Sequence, residues 1–209
     1  MEKIDFSIWK ENIENKIASN ENIVRYLIAN FSLGYNVECF NFLMGTQEYT
    51  ATGGFFQPYD LFIHSYLLKN KLNYEILEKI SFGNFEQPKK VRLGIDPVFA
   101  YPWGEDRISD CLLSIGEENN KFKMSVNHKG VIILPYNICF ITGGNHSILT
   151  GIFKKDGDIE VESYCDYSRV LDDINFNGEY YYLSRNPCKK VKASSVLLGL
   201  IFSLGKYIK

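Results

Sequence analysis

Residues 142–147, Thr-Gly-Gly-Asn-His-Ser, bring together more chemically capable side chains than any other short segment of this chain. They follow an apolar, β-branched run and precede apolar residues at helical spacing, which predicts a strand, a glycine turn and a helix. Glycine allows close approach of a ligand, and a helix start offers free N–H groups and partial positive charge. The segment therefore predicts an anion-binding turn contacted through Gly143, Gly144, Asn145 and Ser147.

Two histidines are the candidate catalytic residues. His146, inside the turn, can donate to a phosphate, exchange a proton or bind a metal. The alternative is a tight turn in which Asn145 or Ser147 caps the helix and His146 is a structural hydrogen-bonding group. His128 lies in a polar stretch before a predicted strand, where it is either a solvent-exposed turn residue or, with His146 and an acid such as Asp106, part of a metal or acid–base site.

Two more candidate ligand-binding residues precede or begin a predicted helix. Arg107 lies near the start of a helix that opens at Gly104, and its guanidinium suits phosphate. Trp103 is expected either to stack on a base or ribose or to pin its proline-rich loop to the core.

The charge balance limits the classes of partner. The chain has 209 residues and a net charge of −2, which does not support a nucleic-acid partner. Residues 1–88 carry 7 Lys/Arg against 11 Asp/Glu, whereas residues 89–209 carry 16 against 14. A phosphate-bearing small molecule is therefore expected to bind in the later part, and a protein partner on the acidic early part is a separate hypothesis.

The cysteines and the apolar segments indicate the compartment. Five cysteines without C-x-x-C spacing predict reduced thiols rather than a disulfide framework or zinc site, and no metal ligands are assigned. No apolar secretory run follows the N-terminus, and the most apolar stretch, residues 196–204, is about half a membrane span. These features predict a cytoplasmic protein without membrane association.

Hydrophobic spacing predicts two regions. Residues 1–88 are expected to be helical: Asn20 caps a helix that stops at Gly34, and other helices cover 35–44, follow Pro58 and cover 74–80. The polar residues 81–90 mark a soft boundary.

Residues 89–209 are predicted to form a compact domain with a C-terminal helix that buries Leu197, Ile201 and Leu204. The expected fold class is α+β, a helical N-terminal region packed on a small mixed sheet. Its expected strands are 91–95, 131–134, 138–142, 159–164 and 178–183, and its expected helices are 104–115, 148–153 and 191–208.

The segment 140–148 resembles the strand–turn–helix signature of the ParB/sulfiredoxin-like fold, in which a histidine-bearing glycine turn binds nucleotide phosphates. The resemblance implies that fold for residues 89–209. Asn145 stands where sulfiredoxin has its reactive cysteine, so sulfinic acid reduction is not expected. Ser147 stands where the signature has arginine, and Arg107 is the candidate replacement.

The region from Ile95 to Tyr182 also resembles an uncharacterised bacterial domain family with three recurring elements in the same order. This chain carries them as Pro102-Trp103 with Arg107, as Asn127-His128, and as residues 143–148. This resemblance implies no known activity.

Three functions remain open from the sequence. The first is binding of a nucleotide or other phosphate ligand at residues 143–147, with or without Mg²⁺ and with or without hydrolysis. The second is a metal-dependent nuclease or phosphodiesterase that uses His128 and His146. The third is a non-enzymatic interaction protein of a bacterial mobile-element or defence system, docking through its N-terminal helices.

Overall fold

The computed structural model describes residues 6–17, 19–45, 58–63, 67–116 and 120–208. Its N-terminal third is helical, as predicted. The helices are α1 (Phe6–Asn12), α2 (Glu21–Leu43) and α3 (Tyr74–Glu78), with single turns at Ile13–Ile17, Pro58–Asp60 and Leu68–Leu72. The helix predicted after Pro58 is wrong over residues 58–63, which form a single turn and then bends, and its residues 64–66 lie outside the described residues.

The start of α2 is confirmed and its predicted end is wrong. Asn20 caps the helix, since its Oδ1 accepts the N–H groups of Asn22 and Ile23. However, α2 runs through Gly34 instead of stopping there. A Cβ at Gly34 would lie 3.2 Å from Cδ1 of Leu197, so the glycine lets the C-terminal helix pack closely on α2. Glycine is used here for packing inside a helix rather than as its terminator.

A five-stranded mixed sheet forms the centre of the fold. The strands lie in the order β1-β5-β3-β4-β2, with β2 parallel to β4, β3 parallel to β5, and the other two pairs antiparallel. Helices α4 (Glu105–Ser114) and α5 (Asn145–Lys154) are confirmed; α5 follows β4, as predicted, whereas α4 follows β2, a strand that was not predicted. The strands are β1 (Ser81–Arg92), β2 (Val98–Phe99), β3 (Lys129–Leu134), β4 (Ile138–Gly143) and β5 (Asp158–Asp166).

Residues 81–90, where the sequence marked a boundary, belong to β1. Their polar composition reflects an edge strand whose side chains are mostly exposed, so it did not signal irregular structure. The predicted division between residues 88 and 89 therefore falls inside a strand, and two separate domains stay a prediction.

A second, three-stranded antiparallel sheet corrects the C-terminal prediction. It consists of β6 (Ile174–Phe176), β7 (Tyr180–Leu183) and β8 (Asn186–Lys192), and the C-terminal helix α6 is Val196–Leu204. The predicted helix start at residue 191 is wrong because Val191 is buried opposite Tyr181 between exposed lysines, the alternation of a strand. Moreover, α6 is buried on several sides rather than along one stripe.

The large sheet has a core on each face. On β4, Ile138 and Phe140 join a cluster with α2, α6 and the small sheet, whereas Cys139 and Ile141 join a cluster with α4 and α5. The strand is therefore buried on both faces, and α4 and α5 share one of them. This arrangement brings the first turns of α4 and α5 together.

Asn36, a buried side chain of α2 that sequence analysis did not single out, holds the edge strand β2. Its Nδ2 donates to the carbonyl of Val98 at 2.7 Å, and its Oδ1 accepts the N–H of Ala100 at 3.1 Å. One side-chain amide thus pairs with both backbone groups of an edge, as another strand would. This clamp fixes where the chain leaves the sheet towards α4.

Within the described residues, every helix is too short or too polar to cross a membrane. All five cysteines are free thiols, three of them buried.

Candidate functional site

Asn145 and His146 hold the loop that leads into α4. Oδ1 of Asn145 accepts the N–H of Tyr101 at 2.7 Å. Nε2 of His146 accepts the N–H groups of Trp103 and Gly104 at 3.3 and 3.1 Å. The residue between Tyr101 and Trp103 is a proline, which has no N–H. The start of α5 therefore accepts every backbone N–H donor of residues 101–104.

These contacts fix the protonation of His146. Because Nε2 accepts two N–H groups, the ring hydrogen of the neutral imidazole must be on Nδ1. The side chain is 7% exposed. Burial lowers the pKa of His146, and the nearby positive charge of Arg107 lowers it further. His146 is therefore a neutral ring whose remaining polar group is an Nδ1–H donor.

His128 has the opposite tautomer. Its Nδ1 accepts the N–H of Ser125 at 2.9 Å, so its hydrogen is on Nε2 and points to Oγ of Ser147 at 2.8 Å. Ser147 in turn donates to the carbonyl of Gly144 at 3.1 Å. Burial lowers the pKa of His128. A base that activates a serine must accept its proton, and this geometry runs in the other direction.

The two glycines are needed to fit the turn that carries His128. A Cβ at Gly143 would lie 2.6 Å from the carbonyl oxygen of Asn127, and one at Gly144 would lie 2.3 Å from Cδ2 of His128. Gly144 also has φ of +76°, which glycine adopts without strain. Close packing of this turn accounts for both glycines without a ligand.

A cavity of about 310 Å³ opens between the first turn of α5 and one face of α4. Ile148 makes the first hydrogen bond of α5, to the carbonyl of Gly144, so the three preceding N–H groups have no partner within the helix. The residues that line the cavity are Arg107, Asp110, Cys111, Gly144, His146 and Ser147.

The charges at this cavity are mixed. Arg107 is exposed and forms no ion pair with any described residue, so its guanidinium is available to an anion. Asp110 adds a carboxylate three residues later. Burial raises the pKa of Cys111, and the charge of Asp110 raises it further. At neutral pH this thiol is therefore protonated and a poor nucleophile.

The structure brings three of the six predicted ligand-binding residues together. Arg107, Gly144 and Ser147 share the cavity with the predicted catalytic residue His146. The ring of Trp103 meets that of His146 edge-on at 4.6 Å and is 52% exposed, so it does not pin the loop to the core.

The other predicted residues lie elsewhere. Gly143 and Asn145 serve the neighbouring turns. His128 reaches Ser147 and stacks on Phe122, and Asp106 is exposed in the first turn of α4. No group of three or more His, Cys, Asp or Glu in the described part of the chain could hold a metal ion. Both ring nitrogens of His128 are engaged, so no observation favours the nuclease hypothesis.

Sequence analysis missed Asp110 and Cys111. The signal was present: they lie three and four residues after Arg107 on a predicted helix, and residues at that spacing share a face. Ser125 carried no comparable signal, since its role depends on the turn that places His128.

The fold and the cavity define an α+β chain with a histidine-bearing cavity between the first turn of α5 and one face of α4. A family model matches residues 5–209, and the chain belongs to that family, described as Family of unknown function (DUF6710). The prediction of a family of unknown function is thereby confirmed. No curated protein and no solved structure matches the chain.

Proposed function

We propose that this chain binds a small phosphate-bearing ligand of the nucleotide class in the cavity between α4 and α5. One observation carries the proposal: Arg107, whose guanidinium forms no ion pair with any described residue, lines the same cavity as His146 and Ser147, whose backbone N–H groups have no partner within α5. A cationic fork and a helix start are the two devices by which proteins most often hold phosphate. The cavity volume of about 310 Å³ lies at the lower end for small-molecule sites.

Each lining group has a role in this proposal. The first-turn N–H groups of α5 and Nδ1–H of His146 donate to phosphate oxygens, and Arg107 supplies the positive charge. The exposed indole of Trp103, beside His146, offers a face on which a base can stack.

Because Asp110 lines the cavity, we expect ligand binding to depend on a metal ion. A carboxylate beside a phosphate repels it unless a cation lies between them. Mg²⁺ in proteins is commonly held by one or two carboxylates together with phosphate oxygens. Asp110 is therefore the residue expected to hold Mg²⁺ when a nucleotide is bound.

Hydrolysis is not part of the proposal. Nε2, the only unprotonated nitrogen of His146, already accepts the N–H groups of Trp103 and Gly104. His128 donates its Nε2–H to the hydroxyl of Ser147 instead of removing the proton of that hydroxyl. Neither ring is arranged to act as a base towards a nucleophile at the cavity.

The ParB/sulfiredoxin-like relationship is also a proposal. It is supported by the order of β4, the glycine pair and α5, with His146 in the first turn of the helix. The nucleotide class of the ligand is suggested partly by this resemblance, whereas the phosphate group is suggested by the cavity itself.

Thermal unfolding with millimolar ATP, CTP or GTP, with and without Mg²⁺, tests the proposal, because a ligand that binds only the folded state raises Tm. Arg107→Ala is expected to weaken binding by about ten- to a hundredfold, since a charge-assisted hydrogen bond contributes about 1.5–3 kcal/mol. His146→Ala is expected to weaken it to a similar degree.

The matched control is Arg185→Ala, which removes another exposed arginine, in the turn between β7 and β8. Asp110→Asn should weaken binding with Mg²⁺ and strengthen it without Mg²⁺. If none of the three nucleotides raises Tm, or if Arg107→Ala and Arg185→Ala behave alike, the proposal is wrong.

A further inference from the structure

The outward face of α2 is an exposed stripe of mostly apolar residues. The exposed fractions are 40% for Ile23, 68% for Tyr26, 45% for Leu33, 41% for Val37 and 42% for Met44, the residue that follows the helix. Asn30 is exposed between Tyr26 and Leu33. We name these six residues the outer stripe. Contiguous exposed apolar surface of this kind marks interaction sites in soluble proteins.

The spacing of the outer stripe is that of a helix-pairing seam. From Ile23 to Val37 its members are three, four, three and four residues apart, the alternation that keeps one side of a helix towards a partner helix. The opposite side of α2 packs on its own core through residues such as Val24, Ile28 and Cys39. Helix α2 therefore has a second packing face beyond the one used within the chain.

This stripe is nearly symmetric about Asn30. In an antiparallel pair of identical helices centred there, Ile23 lies opposite Val37 of the other copy, and Tyr26 lies one residue away from the position opposite Leu33. In a parallel pair each residue meets itself, and Asn30 is again opposite Asn30. Its Nδ2 donates one hydrogen to the carbonyl of Tyr26 at 2.8 Å, so the second hydrogen and Oδ1 can pair with its own copy. A single asparagine in such a seam commonly sets register.

The charges favour a second copy over a charged partner. None of the exposed positions of α2 carries a charge. The charged side chains of the helix are used within the chain: Glu21 pairs with Arg25, and Glu38 accepts from Ser195. Two outer stripes can therefore meet without like-charge repulsion. A helix that binds anionic lipid surfaces has several lysines and arginines beside its apolar face, whereas α2 has no lysine and its one arginine, Arg25, is paired with Glu21.

An apolar groove extends the surface beside the outer stripe. It has a volume of about 530 Å³ and lies between α1, the turn at Ile13–Ile17 and α2. Leu27, one of its lining residues, lies four residues after Ile23 and three before Asn30, so groove and stripe are contiguous. Ile8, 57% exposed, forms part of its wall.

The available area suits a weak dimer. The outer stripe is about 32 Å long, and a helix is about 12 Å wide, which gives roughly 400 Å² per copy. The groove adds roughly half as much again, so two copies bury on the order of 1,200 Å², the lower limit for specific interfaces. A reversible dimer with a dissociation constant on the order of 10 µM is expected.

We propose that this chain forms a two-fold symmetric homodimer through the outer stripe of α2, with Asn30 on the axis. The inference is independent of ligand binding at the cavity between α4 and α5. It fits the wider hypothesis that the N-terminal helices are a docking surface, and it specifies a second copy of this chain as the partner.

Sedimentation velocity over roughly 1–500 µM, which brackets the expected constant, tests the dimer. The full chain should pass from monomer to dimer, and Leu33→Glu should raise the dissociation constant at least tenfold. Leu113→Glu is the matched control, because Leu113 is 78% exposed on a different helix, α4. Equal Tm values for the two variants would show that both remain folded.

Cross-linking tests the position of the axis. In a Cys188→Ser background, which removes the exposed native thiol, Asn30→Cys should form an intermolecular disulfide on mild oxidation. Asn186→Cys, an exposed asparagine on β8, should not. A chain that stays monomeric to 500 µM overturns the proposal. A dimer that neither responds to Leu33→Glu nor cross-links through residue 30 overturns it as well.

Discussion

His146 accepts the backbone N–H of Gly104 through Nε2 at 3.1 Å, and this hydrogen bond ties the start of α5 to the start of α4. The same nitrogen accepts the N–H of Trp103. The histidine that sequence analysis proposed as a phosphate contact is thus also a structural clamp. The clamp uses Nε2 and leaves the Nδ1–H group for the phosphate contact that we propose.

The two histidines of the site should be neutral and of opposite tautomers at pH 7. His146 should carry its hydrogen on Nδ1 and His128 on Nε2, because in each ring the other nitrogen accepts a backbone N–H. Long-range ¹H–¹⁵N NMR spectra distinguish the two tautomers. Detection of His146 protonated at Nε2 would contradict the clamp.

The free energy of unfolding should change with pH because His146 titrates differently in the folded and the unfolded chain. Burial, followed by the charge of Arg107, lowers its pKa below the ordinary imidazole value of 6.5. As the pH falls through 6.5, the unfolded chain takes up the proton first, so the free energy of unfolding decreases. Glutamine can accept the same N–H groups without titrating. Urea unfolding of His146→Gln should therefore show a smaller loss between about pH 7.5 and 5.5; equal losses would count against the assignment.

Gly144→Ala should be much more destabilising than Gly45→Ala. Both glycines have positive φ, so each substitution carries backbone strain of about 1–2 kcal/mol. Only at Gly144 would the added Cβ also collide with the ring of His128, at 2.3 Å; at Gly45 nothing lies within 4 Å. Overpacking adds about 1–3 kcal/mol. Chemical denaturation of both variants measures the difference, and similar losses would mean that the His128 turn moves away freely.

Removal of the hydroxyl of Tyr181 should not destabilise the protein. This hydroxyl is buried and finds no hydrogen-bond partner among the described residues, whereas the hydroxyl of Tyr136 donates to the carbonyl of Phe202. Tyr181→Phe should be neutral or stabilising by up to about 1 kcal/mol, and Tyr136→Phe should lose about 1 kcal/mol. Thermal unfolding compares the two, and a larger loss for Tyr181→Phe would indicate a partner such as a buried water.

The sequence by itself determined the local elements around the site. Asn20 as a cap, the helix from Glu105, and the strand, glycine turn and helix over residues 138–154 all follow from capping chemistry and from the spacing of apolar residues. Such signals act over a few residues, so they can be read without the fold. The mixed α+β character followed from the same periodicities.

Only the tertiary structure decided how these elements pack and which hydrogen bonds they form with each other. Gly34 continues a helix because α6 packs against it, and Val191 lies in a strand because Tyr181 lies opposite. The side chain of Asn36 donates a hydrogen bond to the carbonyl of Val98 in β2, sixty-two residues away in the sequence. The tautomers of His128 and His146 likewise depend on backbone donors, and for His146 these lie forty-two residues away in the sequence. Hydrogen bonds and close packing between distant segments have no local signature, so the sequence located the candidate site but left its protonation and its lining to the fold.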